Sequence, residues 1–415
     1  MTLEMATRGA TAVRRRIAAA MRPSVRRERC ATGRRPPRVL FVNDLWGYGT
    51  VTMAMAIADE LEGQATRIFA GMGPGFELAR RSSFDSLVPV DTMADPLPRD
   101  LEQELGACQA VVSVMNEGVA RAAARRRIPC VFVDCLLWMW ATPPEVPEGV
   151  PYFQESFPGA REQLDRHRDT LRSAEIVGPL VTRPARARSG SADAVLINFG
   201  GLTCPLLTPA TLVTYANAMA QCAVAALRGW PGRVVVGVGR HVLDQMDHRA
   251  LGESVEVVDL GHDAYLAELR RSRLLITSAG NHALYEAFAR GVPCLCLPSQ
   301  NLSGLLTVDI FDRSGVTRSL DWRRLYGLTD LDPADQAGAC DRIAACIERF
   351  SEDPQARGQL VRHLRDSLSD RRLEWLQRRQ ARFYAGLGEP GALTVAARVL
   401  ELVEDSQRAT LPEGA

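Results

Sequence analysis

Twice along this chain, short continuous apolar runs rich in β-branched residues alternate with segments of helical apolar spacing, which restricts the fold to the α/β class. The first series opens with a strand over 38-RVLFVND-44, a glycine-bearing loop over 45-LWGYGTV-51 and a helix over 52–62. A strand over 66–71 follows directly, and the rhythm continues as strand and turn over 109–118, helix over 119–127 and strand over 128–137. The second series runs as strand 194-AVLINFGG-201, helix near 209–228, strands over 233–239 and 255–261, and helix over 263–271. It continues with strand 273–280, helix 281–290 and strand 292–298. Helices over about 334–350, 354–388 and 390–406 close the chain. A strand, a turn, a helix and a returning strand is the opening unit of a doubly wound parallel sheet.

At 415 residues the chain exceeds what one ordinary core organises, so each series is expected to form its own Rossmann-like domain. Two stretches interrupt the alternation. Residues 138–160 (WMWATPPEVPEGVPYFQESFPGA) are rich in proline and aromatics and too irregular for a regular element, as functional loops often are. Residues 178–193 have linker composition, which places the joint near 185. The expected organisation is a disordered arginine-rich leader over 1–37, domains over 38–185 and 186–388, and a C-terminal helix and tail over 389–415. The leader carries ten arginines against two acids, a composition suited to disorder or to a basic arm.

Composition excludes several functions. The net charge of +1 advertises neither a nucleic-acid nor a membrane partner. No run of 18 apolar residues and no secretory h-region is present, so a cytoplasmic protein without a membrane span is expected. The ten cysteines are scattered without a CxxC pair and mostly lie in apolar runs, as reduced cysteines do; neither a metal site nor a cofactor is expected. All 50 basic residues are arginine, which removes lysine Schiff-base chemistry and the P-loop lysine.

The segment 273-RLLITSAGNHALYEAFARGVPCLCLPSQ-300 is the most specific. Ser278, Ala279 and Gly280 end a strand at its carboxyl edge, where parallel sheets bind ligands, and their small side chains permit close backbone approach. The free N–H groups of the helix that follows, at Asn281 and His282, suit a diphosphate. Glu286, about a turn and a half in, suits the two hydroxyls of a ribose. The segment resembles the donor motif of GT-B glycosyltransferases, both the small-molecule UDP-glycosyltransferases and the bacterial lipid II N-acetylglucosaminyltransferase. The match carries onto Gly280 and Glu286, then onto Gly291, Pro293, Pro298 and Gln300. The resemblance implies a GT-B fold whose domains face across a cleft, with a UDP-sugar on the second. Gly261 and His262 would hold the nucleobase, and the glycine loop at Gly200 and Gly201 would face the phosphates. Ser278 and His282 stand where the plant-type family has His and Asn; Leu305 and Leu306 stand where the lipid II-type family has sugar-binding glutamines, so the sugar stays open.

In such enzymes the first domain binds the acceptor and a base removes its proton. No histidine precedes His167, and the position of the plant-type catalytic histidine falls near Tyr48. Candidate bases are therefore Asp44, Tyr48, Glu117 and Asp134, each of which also has an ordinary capping or loop role. Trp46, Trp138, Trp140, Tyr152, Phe153 and Phe157 suit stacking on a planar acceptor or packing as a lid. The first loop, VDCLLWMW and Y-x-Q-x-x-FPG are similar to cytosylglucuronate synthases of nucleoside-antibiotic biosynthesis. That resemblance implies transfer of glucuronate from UDP-glucuronate to N1 of cytosine or hydroxymethylcytosine, with Arg240 a candidate for the sugar carboxylate. The expected activity is thus metal-independent, inverting glycosyl transfer from a nucleotide sugar to a small acceptor, with a homodimer as one possible assembly. A lipid or natural-product alcohol as acceptor, a nucleotide-sugar epimerase and a non-catalytic activator protein stay open as alternatives.

Overall fold

The computed structural model describes residues 35–183 and 193–409. The arginine-rich leader, most of the expected linker and the last residues lie outside them.

The first series builds seven parallel strands. Strand β1 (Arg38–Asn43) leads into α1 (Gly49–Glu60), β2 (Thr66–Gly71), α2 (Gly73–Ala79), β3 (Ser86–Pro89) and α3 (Arg99–Ala107). Then come β4 (Ala110–Val114), α4 (Glu117–Arg125), β5 (Cys130–Asp134), β6 (Tyr152–Glu155), α5 (Ala160–Arg166) and β7 (Ala174–Val177). Their order is β3-β2-β1-β4-β5-β6-β7. The second sheet comprises β8 (Ala194–Asn198), α6 (Pro209–Ala226), β9 (Val234–Gly237), the short α7 (Arg240–Leu243) and β10 (Val255–Val258). It is completed by α8 (His262–Arg271), β11 (Ser272–Ser278), α9 (Asn281–Ala289) and β12 (Cys294–Leu297), in the parallel order β10-β9-β8-β11-β12. Helices α10 (Leu302–Arg313), α11 (Trp322–Tyr326), α12 (Gln336–Glu352), α13 (Pro354–Asp366), α14 (Asp370–Ala385) and α15 (Ala392–Ala409) end the described chain.

The central strands are buried on both faces, so they read as unbroken apolar runs rather than alternating ones. Val39, Phe41 and Val112 face one core and Leu40, Val42 and Val111 the other. In each sheet the strand order reverses once, between β1 and β4 and between β8 and β11. Crevices for ligands form beyond the carboxyl ends of strands at such points.

Two sequence expectations need correction. Residues 138–160 do hold a regular element, the fully buried strand β6, which pairs with β5 and β7. Its composition hid it: Gln154 and Glu155 are polar yet inward, because their side chains bond to neighbouring backbone rather than to water. The helix expected over 354–388 is two helices, and the chain turns at Ser367–Ser369 between them. Helix α10 was also unforeseen; it begins under the cap of Asn301, whose side chain accepts from the Gly304 N–H at 2.9 Å.

The last helix returns to the first sheet. Val395, Ala396, Val399 and Val403 of α15 join the core that includes Phe41, Ile57 and Val112. Conversely, Trp138 and Phe157 of the first half stack at 4.3 Å and pack into the second half's core through Phe311. The halves also meet through a two-pronged Arg81–Asp259 ion pair, with both N–O distances 3.0 Å, and through the Tyr285 hydroxyl donating to the Ser156 carbonyl.

Candidate active site

Between the carboxyl ends of the two sheets lies a cleft of about 560 Å³, within the size range of small-molecule sites. Its second-half wall is built from the loops after β8 and β11 and the start of α9. Gly200, Gly201, Ser278, Ala279, Gly280, Asn281, His282, Glu286 and Gln300 all line it, as does His262. The sequence segment singled out as a donor motif is therefore gathered on one wall. Gly261 is adjacent to that wall but not part of the lining, and its Cα faces Arg81 of the first half.

The start of α9 is left open. Gly280 occupies its N-cap position with no side-chain cap, and Leu284 is the first residue to bond back, to the Gly280 carbonyl at 3.2 Å. The Asn281 side chain accepts from the Thr307 hydroxyl at 3.1 Å, while its buried amide nitrogen has no partner. The Tyr265 hydroxyl, the His282 Nε2 and the Gln300 Oε1 are also buried without hydrogen-bond partners, and all four side chains line the cleft. Buried polar groups are normally satisfied, so a cluster of unsatisfied ones on one cavity wall is what a ligand site presents. Glu286 is buried with its Oε1 3.4 Å from His262 Nε2, and the same His262 nitrogen lies 3.2 Å from the Thr182 hydroxyl. A carboxylate anchored in this way can accept two vicinal hydroxyls.

The first-half wall comes from the loop after β1, the residues following β5 and the segment around Trp140. Asp44, Trp46, Tyr48, Glu117 and Trp140 line the cleft. Asp134 does not: it is sealed beneath, accepting from the Tyr152 hydroxyl at 2.5 Å and the Leu136 N–H at 2.6 Å. Burial lifts the Asp134 carboxyl to about 6 against the pull of those bonds. Burial lifts Asp44 further, to about 7, although the Thr50 hydroxyl and the Trp46 N–H both donate to its Oδ1. Tyr48 is raised to about 12 by burial and by the Asp259 carboxylate, so its phenol stays neutral. Its ring lies so close to Gly201 that a Cβ there would come within 2.6 Å, which is why the loop after β8 has glycine at that point. Glu117 sits at the rim, 3.3 Å from Arg121.

Trp138, Tyr152, Phe153 and Phe157 are core residues rather than an acceptor platform. Trp138 is held by its indole N–H donating to the Cys135 carbonyl. Arg240 lies outside the cleft lining, exposed and 3.3 Å from Asp244. Leu305, which stands where the lipid II-type family has a sugar-binding glutamine, is buried in the core of the second half. Glu155 was missed altogether. It is almost fully buried at the end of β6, beneath the cleft lining, with its Oε2 3.3 Å from His282 Nε2 of the other half, and only its place in Y-F-Q-E after a proline-rich loop could have suggested it. Among the described residues, no three His, Cys, Asp or Glu side chains gather as cation ligands, and no helix is long and apolar enough to cross a membrane.

Neither family models nor curated protein sequences match this chain. Solved structures do. MurG of Acinetobacter baumannii superposes with a TM-score of 0.51 over 88% of this chain and 100% of its own, at 12% identity. This chain shares the GT-B fold. A kitacinnamycin glycotransferase (TM-score 0.48, 15% identity, 89% of this chain and 100% of that one) is also similar. So is the glycosyltransferase VinC bound to dTDP (0.47, 14%, 88% and 100%). At these identities the likeness concerns architecture, and the chemistry has to be argued from the cleft.

Proposed function

We propose that this protein transfers a glycosyl group from a uridine-diphosphate sugar to a small, planar acceptor. The observation that carries the reading is the cluster of unpartnered buried polar groups at the uncapped start of α9, beside the buried carboxylate of Glu286. An open helix start attracts an anion through its N–H groups and its dipole, and the Asn281 amide adds a donor aimed at the same wall. Glu286 then takes the ribose hydroxyls, and Gly200 and Gly201 leave room for the sugar and phosphates.

The acceptor lies against Trp46, Met93, Met115, Met139 and Trp140, a lining of aromatic faces and thioethers that suits a flat ring. Its nucleophilic atom bonds to the anomeric carbon as the bond from that carbon to the diphosphate oxygen breaks, with inversion. The electron pair of the broken bond leaves with the nucleoside diphosphate, and the acceptor proton passes to Asp44. Of the first half's candidate bases, Asp44 alone joins access to the cleft with a pKa near neutrality, where a general base works best. Cytosine or hydroxymethylcytosine fits this wall as acceptor, and its N1–H is acidic enough for a carboxylate base. Glucuronate is the less supported half of that pair, because among the described residues the cleft lining holds no arginine for its carboxylate.

The test is thermal-shift binding of nucleosides, nucleoside diphosphates and UDP-sugars, followed by transfer assays with UDP-glucose and UDP-glucuronate onto cytosine and simple phenols. Stabilisation by UDP that is lost in Glu286→Ala supports the donor site. No stabilisation by any nucleotide overturns the reading.

A further inference from the structure

His282 is the second residue of α9, so its side chain stands beside the open helix start, but its imidazole reaches across to the first half. Nδ1 faces Gly49 at the start of α1, where a Cβ would come within 2.9 Å, and both residues line the cleft. On the other side of the ring, Nε2 is 3.3 Å from Glu155 Oε2, at ion-pair distance but outside hydrogen-bond alignment. Neither atom has another partner. Glu155 is held from behind, its Oε1 accepting from the Leu180 N–H at 2.7 Å. The two side chains are 8% and 1% exposed. A buried ion pair is no better for stability than apolar packing, so a pair that joins the two halves through a residue of the cleft lining invites a role in binding.

We propose that Glu155, a residue of the acceptor half, is a positioning residue for the donor: through His282 it fixes a cationic imidazole beside the start of α9, facing the diphosphate of a bound nucleotide. This rests on reading that helix start as the diphosphate site. The donor site is then complete only when the two halves are together, since the carboxylate that charges its imidazole belongs to the other sheet. The charged groups around the ring agree. Burial alone would discharge His282, but the carboxylates of Glu155, foremost, and of Glu286 on the same helix together outweigh it and hold the imidazole above its ordinary pKa of about 6.5. Glu286 is shared with His262 of α8. The Cys135 thiol at the end of β5, Tyr285 on α9 and Tyr384 on α14 feel the Glu155 charge as neutral groups whose pKa values burial raises first. Among the described residues, no arginine lines the cleft to compete with the imidazole.

Isothermal titration of UDP and of uridine between pH 5.5 and 8.5 tests this in the wild type, Glu155→Gln, Glu155→Asp and His282→Gln. The amide oxygen introduced by Glu155→Gln can still accept from the Leu180 N–H, so the fold is expected to survive. The UDP phosphate itself titrates, and the His282→Gln profile supplies that baseline. Relative to it, wild-type affinity for UDP is expected to fall as pH rises through the His282 pKa, above 6.5. In Glu155→Gln the same fall moves to lower pH, leaving UDP binding roughly three- to tenfold weaker at pH 7.5. Glu155→Asp lies between the two, and uridine binding is insensitive to pH in all four. A Glu155→Gln profile that overlays the wild type would overturn the proposal while leaving the donor site standing. Failure of the wild type to bind UDP at any pH would instead remove the donor site and the proposal together. The ring nitrogen shifts of wild-type His282, followed by NMR, need no variant; a midpoint at or below 6.5 also overturns it.

Discussion

The cleft is walled by two junctions of the same kind, each running from a parallel strand through a short loop into a helix at a reversal of strand order. They are finished in opposite ways. After β1, the loop satisfies itself: Asp44 accepts from Thr50 and the Trp46 N–H, and Asn43 donates to Thr50. After β11, α9 lacks a side-chain cap as α1 does, but the buried amide nitrogen of Asn281 at its start is left unpartnered. A self-satisfied loop shapes a wall and shifts the pKa of the acid within it. An unsatisfied one leaves its hydrogen-bonding capacity for a ligand. Under the proposed function, the difference separates a side that would perform proton chemistry from a side that would bind the donor, although the two backbones are alike.

Substitutions on the two walls should separate these roles. The largest effect is expected from Asp44→Asn, which removes the proposed base: turnover should drop on the order of 10²- to 10⁴-fold with UDP affinity unchanged, measured by product formation and calorimetry in parallel. Loss of UDP affinity in that variant would contradict the division. Glu286→Ala should do the reverse, weakening UDP binding by roughly 10- to 100-fold, the magnitude of hydrogen bonds to a charged group. Gly201→Ala brings a methyl against the Tyr48 ring and should cost about 1–3 kcal/mol in denaturant unfolding, because neither loop can yield without disturbing the other wall.

The smallest effect concerns pH. Asp44 has a folded-state pKa near 7 against an ordinary carboxylate value near 4, so the folded state favours its protonated form. That contribution to stability is whole below about pH 4 and is lost as pH rises through 7. Chemical denaturation at pH 5 and pH 8 should therefore show Asp44→Asn gaining on the wild type at the higher pH. Turnover of the wild type should rise across the same interval, as the base ionises.

The second wall was largely legible in the sequence and the first was not. Ser278 to Glu286 lie in one continuous strand–turn–helix, so their spacing along the chain fixes their spacing in space, and all of the candidates within it reach the cleft. The first wall is assembled from separate segments. Asp44 and Asp134 end apolar runs of the same sheet in the same manner, yet one lines the cleft and the other is sealed under Tyr152. Trp138 and Trp140 are two residues apart, but Trp138 packs against Phe157 while Trp140 lines the cleft. Periodicity does not distinguish such neighbours, because packing between the halves decides which way each turns. Glu155 shows the same limit: one of three acids in a proline-rich stretch, it has meaning only once β6 places it beside His282.

The most direct test of the binding wall is backbone amide NMR of the protein titrated with UDP. The account predicts that the largest shifts fall on Asn281, His282 and Ala283 at the start of α9 and on Gly200 and Gly201, with Asp44 and Thr50 little changed. Saturable shifts confined to the loop after β1, or none at α9, would contradict the assignment of that helix start to a nucleoside diphosphate.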